Sequence, residues 1–196
     1  AVVPILVTAG TAPSFEAPDR ISFRRLVQVS PLAVVGMAFV GIVVSMLFGM
    51  GSVYGRSIGL NNTQVGYFMA SITLGTLALQ YPIGRLSDRF DRRVVIFGVA
   101  VIAGIAITIA GLFGADQFIS LFILMLVFGG LLFSLYSLFI AHANDYLPPS
   151  QMVAMSSGLL MINSAGAVIG SPLAASVIEF VGARGFMPTI AGFLFL

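Results

Sequence analysis

Six charged residues fall within ten consecutive positions, GRLSDRFDRR at 84–93, in a chain of which only 8% is charged. Asp88 and Arg92 stand four apart, the separation at which side chains meet along a helix. Asp88 can accept from Arg89 or Arg92, or sit at a neighbouring helix N-terminus, where the dipole favours an anion. This is the chemistry of reversible charge contacts rather than of bond making. The chain has no cysteine, so a disulfide framework, a thiolate nucleophile and a Cys metal site are excluded. No phosphate-cradling loop, metal-ligand cluster or nucleophile–base arrangement is visible. No enzymatic activity, metal or cofactor is expected.

The elements that must hold this loop are apolar. Residues 63–83 precede it and 94–113 follow it, and each is long enough to cross a bilayer, which takes about 20 apolar residues in a helix. A chain that is 59% hydrophobic cannot cover a water-facing surface, for which about 25% charged residues is usual. Lipid must be its solvent, and the fold class is an all-α polytopic membrane protein. Further spans are expected at 31–54, 118–142 and 151–180, the last kinkable at Pro172. A shorter apolar run covers 186–196.

The connections carry their own signals. Asn61, Asn62 and Thr63 offer N-cap chemistry. Pro148 and Pro149 stop helix continuation, and Ser150 is available as a cap. Residues 114–117 and 182–185 read as tight turns. Residues 11–30 form a polar linker with a short amphipathic helix at Phe23–Val29. Residues 1–10 read as the end of a preceding membrane helix and 186–196 as about half a span. The chain is therefore expected to be a piece of a larger membrane protein, cut at both ends.

Two intervening helices place the linker and the 84–93 loop on one side. That side holds Arg20, Arg24, Arg25, Arg85, Arg89, Arg92 and Arg93, and the other holds Arg56 and Arg184. The imbalance makes the linker, 84–93 and 143–150 cytoplasmic. Because the arginines flank membrane segments, no nucleic-acid partner is expected.

GRLSDRFDRR resembles the signature loop of the major facilitator superfamily, G-x-x-x-D-R-x-G-R-R. Gly84, Asp88, Arg89, Arg92 and Arg93 match, and Asp91 departs where the pattern has Gly. The resemblance implies the loop's second copy, between helices 8 and 9, and a bundle of helices 7–12 at 31–196. The stretch SLYSLFIAHANDYLPPSQMVAMSSGLLMINSAGAVIGSPL is similar to the YcaD-like bacterial transporters. By resemblance, Asp88 and Arg92 would latch the cytoplasmic side shut in the outward-facing state. Gly84 would allow close helix approach. Asp91 would add an acceptor or weaken the turn.

Neutral polarity is what remains for a substrate. Gly41, Ser45, Gly49, Ser52 and Arg56 form one stripe on the first span. Ser134, Tyr136 and Ser137 cluster on the fourth, and Asn163 lies near the midplane of the fifth, roughly 18 Å past Gln151 at the helical rise. The resemblance implies that the first and fourth spans line a central cavity, which makes Ser45, Ser52, Ser134, Tyr136, Ser137 and Asn163 cavity candidates. Helix packing is the reading for Ser157, Ser164 and Ser171 on the fifth span, and packing or a hinge for Gly129–Gly130. Glu179 and His142 are expected to be solvated interfacial anchors, with a proton-coupling role as the alternative for either. The expected function is secondary active transport of a small solute by alternating access. A non-transporting receptor or scaffold on the same fold is the alternative. The expected setting is a bacterial inner membrane, and the expected partners are the bilayer, a small-molecule substrate and an N-terminal six-helix half.

Overall fold

The structure is a computed structural model that describes residues 22–113 and 117–196. The expected helix end at 1–10, most of the 11–30 linker and most of the 114–117 turn lie outside the described residues. Within them the chain is helical: α1 (Phe23–Val29), α2 (Pro31–Ser57), α3 (Asn62–Ser87), α4 (Arg92–Phe113), α5 (Phe118–Asn144), α6 (Pro149–Phe180) and α7 (Phe186–Phe195), with a 3₁₀ turn at Ala183–Gly185.

Local chemistry sets the helix starts. Ser30 Oγ accepts from Ala33 N–H at 3.3 Å, and Pro31 opens α2, where its missing N–H is no loss. Asn61 and Gln64 form a reciprocal capping box, each side chain bonding the other's backbone N–H at 2.9 Å. Ser150 does not cap α6, contrary to expectation. Pro148 occupies the cap position and Pro149 the first turn, because proline's fixed φ is already suited to a helix start.

Among the described residues, α2, α5, α6 and the Arg92–Leu112 part of α4 are long and apolar enough to cross a membrane. The expected span at 63–83 meets a helix of sufficient length, 26 residues, that is less apolar than these four. Its polar side chains find internal partners. Ser71 is buried and donates to Phe68 O. Gln80 Nε2 donates to Ser137 Oγ at 2.8 Å on α5. Such bonds satisfy groups that lipid cannot.

Two helix pairs organise the bundle: α2 packs on α6 and α3 on α5, with α4 against α5 and α7. Asn163 bonds Met37 and Ser171 bonds Ser45, each across 126 positions. A constant offset means that α2 and α6 run parallel. Contacts of Ile72 with Gly129 and of Gln80 with Ser137 rise together in number, so α3 and α5 are parallel too. The starts of α2 and α6 and the turns after α3 and α5 therefore share one end of the molecule. That end carries Arg24, Arg25, Arg85, Arg89, Arg92 and Arg93, and the opposite end carries Arg56 and Arg184.

Glycine makes both pairings possible. A methyl group on Gly75 would overlap the Leu126 carbonyl, and one on Gly41 would overlap the carbonyl of Asn163. Gly129 and Gly130 lie backbone to backbone against Ile72 and Gly75, so their role is packing.

Candidate functional site

The candidate cavity residues divide by position. Ser45 belongs to the α2–α6 seam: its Oγ lies 2.7 Å from Ser171 Oγ and accepts from Ser171 N–H at 3.1 Å, while Ser171 Oγ donates to Ser45 O at 2.9 Å. The next residue, Pro172, lies inside α6 and disrupts the helix's own ladder. A neighbouring serine is one of the groups that make an intramembrane proline tolerable. Asn163 is also glue, its Nδ2 donating to Met37 O at 3.1 Å.

Ser134 is buried and donates to Gly130 O at 2.7 Å within its own helix. The expectation that it lines a cavity is corrected: its side chain points into the packed bundle. Ser52 sits at the opposite end from the charged loop, in a shallow cleft with Arg56 and Asn62, which are in contact. Ser137 is held by Gln80. Tyr136 lines an open cleft of about 370 Å³ between α5 and α6, with Met152, Ser156, Ser157 and Leu160. Among the described residues the α6 serines divide: Ser171 packs across the seam, and Ser157 and Ser164 bond no other helix. Both are exposed and donate to the carbonyl four residues back, a bond that satisfies a hydroxyl without any neighbouring helix.

The charged loop is tied to the rest of the bundle by one arginine. Arg92 Nη2 lies 3.4 Å from Asp88 Oδ1 and Arg92 Nε lies 3.2 Å from Asp145 Oδ2. Asp88 closes α3, Arg92 opens α4 and Asp145 follows α5, so this side chain joins three helix ends. Its flat donor fork can address two carboxylates at once. Arg93 Nη2 donates to Tyr146 Oη at 3.0 Å, with the guanidinium 5.9 Å from the ring centre, within cation–π range. Asp91 resolves the departure from the family pattern. Its carboxylate accepts from Arg93 N–H at 2.8 Å and its carbonyl from Val95 N–H at 3.1 Å. It is the cap of α4, an anion where the helix dipole favours one.

Two expectations at this end are corrected. Gly84 has no neighbour within 4 Å of the position its side chain would take. No described helix approaches it there, so its smallness serves no close contact in this bundle. His142 is no solvated anchor. It is 3% exposed and meets the Tyr146 ring edge-on at 5.3 Å between centroids, because it lies on the face of α5 turned towards α4. Glu179 is exposed as expected. Arg85 and Arg89 are exposed and form no ion pair among the described residues. They flank a shallow cleft with Tyr81, Pro82 and Leu86.

Sequence reasoning missed Asp145, Tyr146 and His142 as partners of the loop. A signal was present. The arginine imbalance puts the 143–150 connection on the side of the charged loop, and Asp145 is its only acidic residue.

The sequence model of the Major Facilitator Superfamily matches residues 33–196. The chain belongs to this family. It is also similar to proteins named "Uncharacterized MFS-type transporter YcaD" from Shigella flexneri and from Escherichia coli (strain K12 / DH10B). Each is 31% identical over 180 residues, covering 91% of this chain and 46% of the relative. The chain thus spans about half the length of the curated relatives it matches. No solved structure matches it. Family membership and the apolar helices make it an integral membrane protein, and the signature loop, α4 and the Asp145 turn all fall inside the matched residues.

Proposed function

We propose that this chain is the second six-helix bundle of a secondary active transporter that moves a small solute by alternating access. The arginine-rich end is the cytoplasmic one, in keeping with the excess of arginine over the opposite end. The bundle would rock against a first bundle around a site near the midplane. The open α5–α6 cleft with Tyr136, Ser156 and Ser157, on the arginine-rich side of the midplane, is the approach offered to that site, since it holds hydroxyls and no charge.

The observation that carries the reading is the bridge from Asp88 through Arg92 to Asp145. It ties the turn between α3 and α4 to the turn after α5 with contacts that water can replace. Such contacts bias one of two conformations without fixing it.

The test is uptake and efflux in a strain lacking the full-length protein, complemented with that protein and screened against a metabolite and drug panel, with and without a proton gradient. Arg92→Ala runs alongside. The reading expects a compound that moves with the wild type and far less with the variant at equal membrane abundance. Flux of no compound from folded, inserted protein would overturn it.

A further inference from the structure

A polar cavity of about 360 Å³ opens at the arginine-rich end, lined by Asp91, Arg92, Arg93, His142, Asp145 and Tyr146. Five of these residues are accounted for. Asp91 caps α4, Arg92 joins two carboxylates, and Arg93 holds Tyr146. His142 is left over. It is 97% buried by residue area, borders the cavity, and makes no hydrogen bond among the described residues. It meets the Tyr146 ring edge-on. A packed imidazole at the rim of a water-accessible cavity is an unusual thing for a bundle to keep if the position only needs volume.

We propose that His142 is a proton-responsive element of this end, and that its protonation opens the contact between the α3–α4 turn and the α5–α6 turn.

The surrounding charges give the direction. Arg93, Asp145, Arg92 and Asp91 line the same cavity as the imidazole. From α4 and the turn before it come two cations and one carboxylate, and from the turn after α5 one carboxylate and the Tyr146 hydroxyl. Asp88, at the end of α3, acts through Arg92. The first turns of α2 and of α6 bring no titratable side chain to this end. α1 carries Arg24 and Arg25, and Arg25 is engaged with Gln151. A proton on His142 sets a third cation beside Arg92 and Arg93. It draws Asp145 away from Arg92 and repels Arg93 from Tyr146, so both links between α4 and the turn after α5 weaken together. Histidine is the side chain whose ordinary titration falls in the physiological range.

The inference deepens the latch reading and rests on it for any consequence in transport. The test is a distance, so the two can fail separately. Spin labels go on Phe90→Cys and Ser150→Cys, both exposed, in the full-length protein in nanodiscs. In a titration from about pH 8 down to about pH 5, the longer-distance population should rise several-fold. His142→Gln, which keeps polarity, and His142→Phe, which keeps the ring contact with Tyr146, should hold the shorter distance throughout. Imidazole NMR of the unlabelled wild type supplies a check that needs no substitution at His142: its titration midpoint should coincide with that of the distance change. A distance that ignores pH, an equal response in a folded His142 variant, or midpoints that disagree would each overturn the proposal. Loss of flux with an intact pH-dependent distance would count against transport and leave the switch standing.

Discussion

Where α2 meets α6, Ser45 and Ser171 share three hydrogen bonds and Gly41 lies against the Asn163 backbone. At the arginine-rich end, Arg92 spans two carboxylates whose side chains stay 72% and 49% exposed. The seam has no alternative partners, since lipid offers its polar groups nothing and its glycines leave no slack. The clasp has an alternative at every contact, because water can take each one over. Exposed ion pairs are worth about 0.2–1 kcal/mol apiece. The seams are suited to permanence and the clasp to exchange, and a protein that changes shape needs both.

This contrast can be broken at the seam first. Gly75→Val pushes a side chain into the Leu126 carbonyl, where backbone cannot yield. A loss of about 3 kcal/mol, the upper end of ordinary overpacking, should appear as a collapsed monodisperse peak and a lowered melting temperature in detergent. A variant that melts with the wild type would remove the seam from the account. Ser171→Ala deletes the hydroxyl between Ser45 Oγ and Ser45 O. It should cost about 1 kcal/mol, typical of hydrogen bonds between membrane helices, read by denaturant titration in bicelles.

At the clasp the expected stability changes are smaller. Asp145→Asn should lower stability by less than about 1 kcal/mol, and its effect should vanish when Arg92 is already Ala. A double-mutant cycle on melting measures that coupling, and additive losses would show that the 3.2 Å contact contributes nothing. Smallest of all, Gly84→Ala should stabilise the bundle by roughly 0.5 kcal/mol, the ordinary gain from removing a helical glycine, because nothing crowds the site. Destabilisation there would restore the close-approach role that the family pattern suggests.

The helices were legible because membrane spans announce themselves through length and apolarity, and caps through local chemistry. The capping box at Asn61 lies within four residues of chain, and the Asp88–Arg92 pair within five. Contacts across the fold were not legible. Ser45 meets Ser171 across 126 positions and Arg93 meets Tyr146 across 53, and no periodicity encodes which helix a face will meet. Ser45 and Asn163 therefore read as cavity polarity when they are seam, and His142 read as a solvated end when the turn of α5 buries it. Gly84 differs: its smallness suggested a close helix approach, and no described helix comes near it.

On the proposed reading, Arg92 holds the arginine-rich side closed while the seams stay intact. The most direct test is the labelling rate of Ser157→Cys, on the α5–α6 cleft, by a membrane-impermeant maleimide applied from that side to full-length protein in a cysteine-free background. Arg92→Ala removes two exposed ion pairs, and about 1.4 kcal/mol between them corresponds to tenfold. The account predicts labelling about tenfold faster in the variant, with stability lowered by no more than the roughly 1.4 kcal/mol those pairs are worth. An unchanged rate in folded protein would contradict it and leave the charged loop as a marker of orientation alone.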